Sequence, residues 1–313
     1  MSSAILKSLL KKAGNENLLE QLDLFSMSEL NSLLMEVFRK KTGQRNIGEL
    51  ITSFQNNRFV VPSSVDPVAL LEMELLLLRH ARAHGFTPLE LSPLAPLGSC
   101  SVFALADQNK IVSALRGTEV LADATNVLAL HAAIERKTSG FDAPITNYCS
   151  AARHVRAQSF SGKGFSAHFK IFCAVSGGKD SGNFAFEKEA LTRHLMMYKE
   201  YFVGVIGRTD ARFIIKVLHA KGEENLLWKA MDKDIKEVLV DVGHSFEEAL
   251  ADKHNYYNGI RFSINLMHNG SEINIGDGGF VDWGSTLTGS NKERMFTSGI
   301  GTELLYKLLS GMI

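Results

Sequence analysis

Proline is absent from the first 61 residues, and the hydrophobic period of the chain changes where it appears. Before it, Ile5, Leu6, Leu9 and Leu10, then Leu18, Leu19 and Leu22, then Leu30, Leu33, Leu34, Val37 and Phe38 recur at helical spacing, the pattern of short amphipathic helices. Ser28, ahead of Leu30, is the expected N-cap of one such helix and Gly43 its stop. The run Val60-Val61-Pro62-Ser63-Ser64-Val65-Asp66-Pro67 reads as a linker into a new element. A boundary near residue 58 therefore separates a small helical N-terminal domain, 1–57, from a main domain, 58–313.

The main domain opens with a helix from Pro67 to His84, carrying Leu70, Leu71, Met73, Leu75 and Leu78 and ending at Gly85. Beyond it, Phe86 to Leu91, Ile111 to Arg116, Ile145 to Ala152, Ala167 to Val175, Gly259 to Met267 and Ser271 to Ile275 have the character of strands. Ala124 to Arg136, Phe186 to Phe202, Asn225 to Met231, Ser245 to Leu250 and Gly301 to Leu309 have that of helices. Strands and helices do not alternate with the period of a parallel sheet. The expected fold is α+β, a mainly antiparallel sheet flanked by helices.

Composition narrows the function. A chain of 313 residues, 45% of them hydrophobic, can bury one large core and a satellite. Its 34 basic and 34 acidic residues cancel, which removes the usual driving force for non-specific nucleic-acid binding. No apolar stretch approaches the ~20 residues of a membrane helix, and Met1 to Lys12 lacks the apolar centre of a signal peptide, so a soluble, cytoplasmic protein without a membrane partner is expected. Cys100, Cys149 and Cys173 are too widely spaced for a disulfide framework or a metal knuckle and are expected to be buried. The ten histidines form no HExxH pattern; His80 and His84 lie four apart on a helix with no acidic partner near them in the sequence, and no metal site is expected.

Several segments, in order, resemble the catalytic core of class II aminoacyl-tRNA synthetases, and within them the histidyl-tRNA synthetase branch. The helix ending at Gly85-Phe86, with Leu91-Ser92-Pro93, is similar to motif 1, which forms the dimer interface in that family. Leu115-Arg116 followed by Asp123-Ala124-Thr125 is similar to the L-R-P-[DE]-x-T segment, whose acid receives the substrate amino group; the longer gap here leaves Glu119 and Asp123 both open for that role. Val155-Arg156-Ala157-Gln158, a loop with Lys163, and His168-Phe169 resemble motif 2, in which the arginine meets a phosphate and the phenylalanine stacks on adenine. A guanidinium suits planar anions and an aromatic face suits a base. Tyr256-Tyr257, within the 255–262 segment, and Gly278-Gly279-Phe280-Val281-Asp282 resemble two signatures of the histidyl branch. Ser298 to Leu305, with Glu303, resembles motif 3. The resemblance implies a ligand pocket lined by Arg116, Glu119 or Asp123, Thr125, Arg156, Gln158, His168, Phe169, Tyr256 or Tyr257, and Glu303. Asp123 and Thr125 also fit a helix cap, and the two tyrosines are expected on opposite faces of a strand.

The departures from that family point away from tRNA charging. Leu304 stands where motif 3 carries its ATP-binding arginine, Asp252 and Lys253 stand near the place of a catalytic arginine, and Phe280 replaces another. Near Ile171 and Val175, where the histidyl branch recognises imidazole, no side chain can hydrogen-bond. The resemblance spans about residues 60–313 and leaves no anticodon-binding domain after motif 3. A regulatory or small-ligand-binding homodimer results, akin to the regulatory subunit of ATP phosphoribosyltransferase, with an amino-acid-like ligand or an unidentified protein partner, and without tRNA. The rival is an ATP-dependent ligase that adenylates a carboxylate, with ATP and magnesium as ligands and Lys163, Lys179 or Lys253 replacing the lost arginines. A third reading has Phe280 and Leu304 filling the pocket of a purely structural protein. Ser176-Gly177-Gly178-Lys179-Asp180-Ser181 spells a pyrophosphate-loop signature but is expected to be a polar strand-to-helix loop, and Gly276-Asp277-Gly278-Gly279 a tight turn.

Overall fold

The computed structural model describes residues 3–158, 165–219, 225–250 and 256–313. Four helices open the chain: α1 Ser3–Ala13, α2 Leu18–Asp23, α3 Met27–Thr42 and α4 Ile47–Asn56. The N-cap of α3 is Ser26 rather than the expected Ser28: its hydroxyl accepts from the Glu29 amide while the Glu29 carboxylate accepts from the Ser26 amide, a reciprocal capping box. Gly43 ends α3 as expected. Asn46 and Glu49 cap α4 in the same way. No residue of α2, α3 or α4 is buried, and Leu33, Phe38, Ile51 and Phe54 face solvent.

The helix α5, Pro67–Ala83, starts where Asp66 accepts from the Val68 amide and Pro67 supplies the preset first turn. It buries Leu70, Met73, Leu77 and Ala81 at helical spacing. Next come β1 Thr87–Pro88, β2 Leu94–Pro96, β3 Ser113–Ala114, β4 Thr118–Val120, α6 Ala124–Ser139, β5 Thr146–Val155, β6 His168–Lys179 and α7 Ala185–Glu200, which runs into a π-helical turn at Tyr201–Val205. The remainder is β7 Arg212–His219, α8 Leu226–Val238, β8 Gly243–Leu250, β9 Asn258–His268, β10 Ser271–Val281, α9 Trp283–Thr288, β11 Glu293–Ile300 and α10 Thr302–Leu309.

Eight strands form one sheet in the order β1-β5-β6-β11-β10-β9-β7-β8, antiparallel except at its two outer pairs. The strands β2, β4 and β3 form a small second sheet. The large sheet is covered on both faces, and β6 shows it residue by residue: Phe172 and Ala174 enter a core with Leu70, Ala190, Met231 and Leu305, while Cys173 and Val175 enter another with Leu128 of α6 and Trp283 of α9. All three cysteines are buried and free, as expected.

Three elements differ from the sequence expectations. Ser245 to Leu250 lies in a strand, β8, not a helix: it pairs in parallel with β7, Phe246 opposite Ile215, and packs Phe246 against Trp228, the two rings tilted with centres 5.0 Å apart. Pairing decides so short an apolar segment, whose own period suits either state. The stretch Ser176–Lys179 is not a loop but the end of β6, paired with β5 and β11. The stretch Gly276–Gly279 is not a turn but the middle of β10. A Cβ on Gly278 would lie 2.6 Å from Ser298 Cβ and 2.7 Å from Phe262, and one on Gly279 2.7 Å from the Tyr257 ring; these glycines serve close packing.

Candidate functional site

The antiparallel register sets Cys173 of β6 beside Gly299 of β11, and Gly299 beside Asp277 of β10. Neighbours in register share a face of the sheet, and the missing side chain at Gly299 leaves this row open. Above it is a cleft of about 500 Å³, within the range of small-molecule sites. Its walls carry both signs of charge: Arg156, Lys170, Arg261 and Lys307 against Asp123, Asp277 and Glu303, with Phe169, Tyr256 and Tyr257 as aromatic surfaces.

Specific contacts place most of these charges. Asp123 is the N-cap of α6, accepting from the Thr125 amide at 3.0 Å and the Thr125 hydroxyl at 2.6 Å. The same carboxylate faces Arg156, whose Nη2 is 3.4 Å from Oδ2 and whose Nε donates to the Ala122 carbonyl at 2.9 Å. The guanidinium stands 5.6 Å from the centre of the Phe169 ring, a cation–π distance. Tyr257 donates to Asp277 Oδ1 at 2.7 Å. Burial raises the Asp277 pKa; the Tyr257 hydrogen bond opposes that shift and the charge on Asp123 adds to it. Burial alone would raise Glu303 too, but hydrogen bonds from Ser63 and Lys307 outweigh it and hold the carboxyl below its ordinary range. Arg153 completes the clasp on Glu303 at 3.0 Å. Burial drives both tyrosine hydroxyls upward, keeping them protonated.

Of the residues singled out from the sequence, Asp123, Thr125, Arg156, Phe169, Tyr256, Tyr257 and Glu303 meet around this cleft. Four do not. Arg116 sits at positive φ in the exposed turn between β3 and β4, its amide donating to Asn31. Glu119 is fully buried and accepts from the Gly98 and Cys100 amides and from Gln108, a structural anchor of the small sheet. Of the two acids left open by the sequence, only Asp123 reaches the cleft. The Gln158 carbonyl accepts from Arg58, and its side chain is not on the cleft wall. His168 is buried between the Val61 carbonyl, at 2.7 Å, and Arg153, at 2.9 Å. The tyrosines precede β9 rather than alternating within it, so both reach the cleft, edge to face at 4.8 Å.

The remaining candidates also resolve. Lys179 pairs with Asp142 and does not line the cleft. Ser176 contributes to a buried network instead of a phosphate loop: its hydroxyl meets Asn147 and His194, and His194 and Tyr198 both meet the Ser298 hydroxyl. Phe280 packs edge-on against Phe296 in the core and does not fill the cleft, whereas Leu304 is on its wall. Ile171 is also on the wall and Val175 is in the core. Lys163, Asp252 and Lys253 lie outside the described residues. Sequence reasoning missed Arg261 and Asp277 as site residues. Alternation along β10 could not have found Asp277, because a bulge at Ile275 shifts the pairing by one residue and turns Asp277 to the face opposite Ile273 and Ile275.

No protein-family profile matches the chain, and no curated protein matches its sequence. Solved structures do. A protein of Bacillus halodurans described as an ATP phosphoribosyltransferase regulatory subunit/histidyl-tRNA synthetase aligns over 80% of this chain and 82% of its own, with a TM-score of 0.61 and 14% identity. The apo histidyl-tRNA synthetase of S. aureus aligns over 80% of this chain and 69% of its own, TM-score 0.56, 14% identity. A histidine–tRNA ligase subunit of Alicyclobacillus acidocaldarius aligns over 80% and 96%, TM-score 0.56, 12% identity. A threonyl-tRNA synthetase of Aeropyrum pernix aligns over 77% of this chain and 60% of its own, TM-score 0.57, 12% identity; at such identities the likeness concerns the fold, and the fold of this chain is that of the class II aminoacyl-tRNA synthetase catalytic core.

Proposed function

We propose that this protein is a binding or regulatory relative of the histidyl synthetase core that holds a small zwitterionic, amino-acid-like ligand in the cleft and does not charge tRNA. The mixed charge of the walls carries this reading. Arg156 is set to meet a carboxylate, with Phe169 beneath it, while Asp277 and Asp123 are set to meet an ammonium group. Leu304 on the wall, and Glu303 already clasped by Arg153 and Lys307, disfavour a bound magnesium–triphosphate. The protein acts as a homodimer through α5, whose outer face exposes Val68, Leu71, Leu75 and Leu76, and residues 1–57 form a separate domain whose exposed apolar faces meet a protein partner.

Calorimetric titration of the whole protein with a panel of amino acids, and separately with Mg-ATP, tests the proposal. Saturable binding of an amino acid that Arg156→Ala weakens at least tenfold is the expected result. Saturable Mg-ATP binding with acid-dependent pyrophosphate exchange would overturn it in favour of the adenylating ligase, which Arg156 beside Phe169 keeps as the second reading.

A further inference from the structure

Outside the cleft, the fold joins two side chains that the sequence spaces one helical turn apart with a third from a distant element. His80 lies in the last turn of α5 and His84, four residues on, is its C-cap, their ring centres 4.6 Å apart, the spacing that puts two imidazoles on one side of a helix end. Glu200, the last residue of α7, brings Oε2 to 3.1 Å from His84 Nε2. One ligating atom from each of the three lies within 4.8 Å of the other two. We propose that His80, His84 and Glu200 form a site for a zinc-type divalent transition metal that clamps the end of α5 to the end of α7, with water completing a four-coordinate shell.

Three features carry the proposal. Ligands on a tetrahedral ion with bonds of about 2.1 Å stand about 3.4 Å from each other, and the His84–Glu200 separation of 3.1 Å needs only a few tenths of an ångström to open to that spacing. His80 Nε2 is 3.0 Å from the Met197 carbonyl; a carbonyl can only accept, so Nε2 carries the proton and the lone pair is on Nδ1. This outer hydrogen bond is the usual device that fixes the tautomer and orientation of a ligating imidazole. Glu200 stands at the junction of α7 with the π turn Tyr201–Val205, and such turns recur at functional sites. Two nitrogens and one carboxylate favour zinc, cobalt or nickel over magnesium or calcium. Glu200 is half-exposed and the His84 side chain is 16% accessible, so an ion has a route from solvent.

The other three-residue grouping among the described residues, Asp123, His154 and Cys173, lacks these properties. His154 has both ring nitrogens engaged, one by the Ala124 amide at 2.8 Å and one by the Ala152 carbonyl at 3.0 Å. Cys173 is buried, and burial keeps its thiol protonated.

Titration of the metal-free, full-length protein with Co(II) tests the site. One equivalent should produce the intense visible absorption of four-coordinate cobalt and be displaced by zinc. His84→Ala and Glu200→Gln should each weaken binding by about tenfold or more, the usual effect of damaging such a site. Should His84→Ala fail to fold, Glu200→Gln, which changes one half-exposed side chain, carries the comparison. The proposal is overturned if cobalt shows only the faint spectrum of the hydrated ion, or if a strong spectrum survives unchanged in Glu200→Gln and in every folded histidine variant.

Discussion

Asp277 is the residue at which stability and the proposed binding pull against each other. Its pKa is raised from an ordinary 3.8, first by burial and then by Asp123, against the opposing Tyr257 hydrogen bond. The folded chain therefore holds this proton to higher pH than the unfolded chain does. Stability falls as pH climbs from about 3.8 through the raised value, and the deficit persists at neutral pH. Asp277→Asn should raise the melting temperature at pH 7 while weakening amino-acid binding in calorimetry; a variant that melts lower would contradict this account. His194 has the opposite sign. Burial pushes its pKa down to about 3, and that of His154 down to about 4, so the folded chain resists protonating both. The associated stability is intact above about pH 6.5 and is lost as pH falls toward those values. Melting temperature recorded against pH should drop below about 6.5 with a slope that His194→Gln makes shallower.

At the scale of elements, one buried ion pair decides how α6 meets the sheet. Arg136 is fully buried; its Nε and Nη2 grip the two oxygens of Glu293 at 2.8 and 3.0 Å, and its terminal nitrogens donate to the carbonyls of Phe141, Ala143 and Pro144. The last turn of α6, the connection to β5 and the start of β11 are thereby fastened at a single guanidinium. Arg136→Met should cost about 3–5 kcal/mol in denaturant unfolding, because it leaves a buried carboxylate unpaired. Adding Glu293→Gln should recover part of that loss, since the second change removes the stranded charge. An equal or larger loss in the double variant would mean that the carbonyl contacts dominate. The pair was not legible in the sequence: 157 positions separate its members, and nothing in the run Ile134 to Thr138 marks Arg136 as more than a charge on a helix.

For the whole molecule, the outer stripe of α5 and the apolar faces of α1–α4 are the surfaces that a monomer leaves unused. Val68, Leu71, Leu75 and Leu76 recur at one helical face and are between 46% and 63% exposed, the patch on which the proposed homodimer rests. Leu71→Glu with Leu75→Glu should convert a dimer to a monomer in light scattering without lowering the melting temperature of the isolated chain. A wild-type protein that is already monomeric at high concentration would refute the homodimer. No helix among the described residues is long and apolar enough to cross a membrane.

Local chemistry alone determined much of this protein. Helical periods before Pro62, the Asp66-Pro67 start of α5 and the strand character of β5, β6 and β9 depend on neighbours within a few residues. They were readable, as were Arg156, Phe169, Asp123 and the paired tyrosines, because each sits in a short segment whose order resembles a known core. What tertiary structure decided depends on partners distant in sequence. The strand state of Ser245 to Leu250 required β7, and the glycines of β10 take their meaning from Phe262, Ser298 and Tyr257. Glu119 was withdrawn from the cleft by backbone amides at Gly98 and Cys100, and Asp277 was drawn into it by the register of three strands. Only the packing of α7 beside α5 gave His80 and His84 a carboxylate. Short-range propensity acts within a few residues of the chain, whereas pairing register and burial follow from which segments meet, and that is set by the fold as a whole.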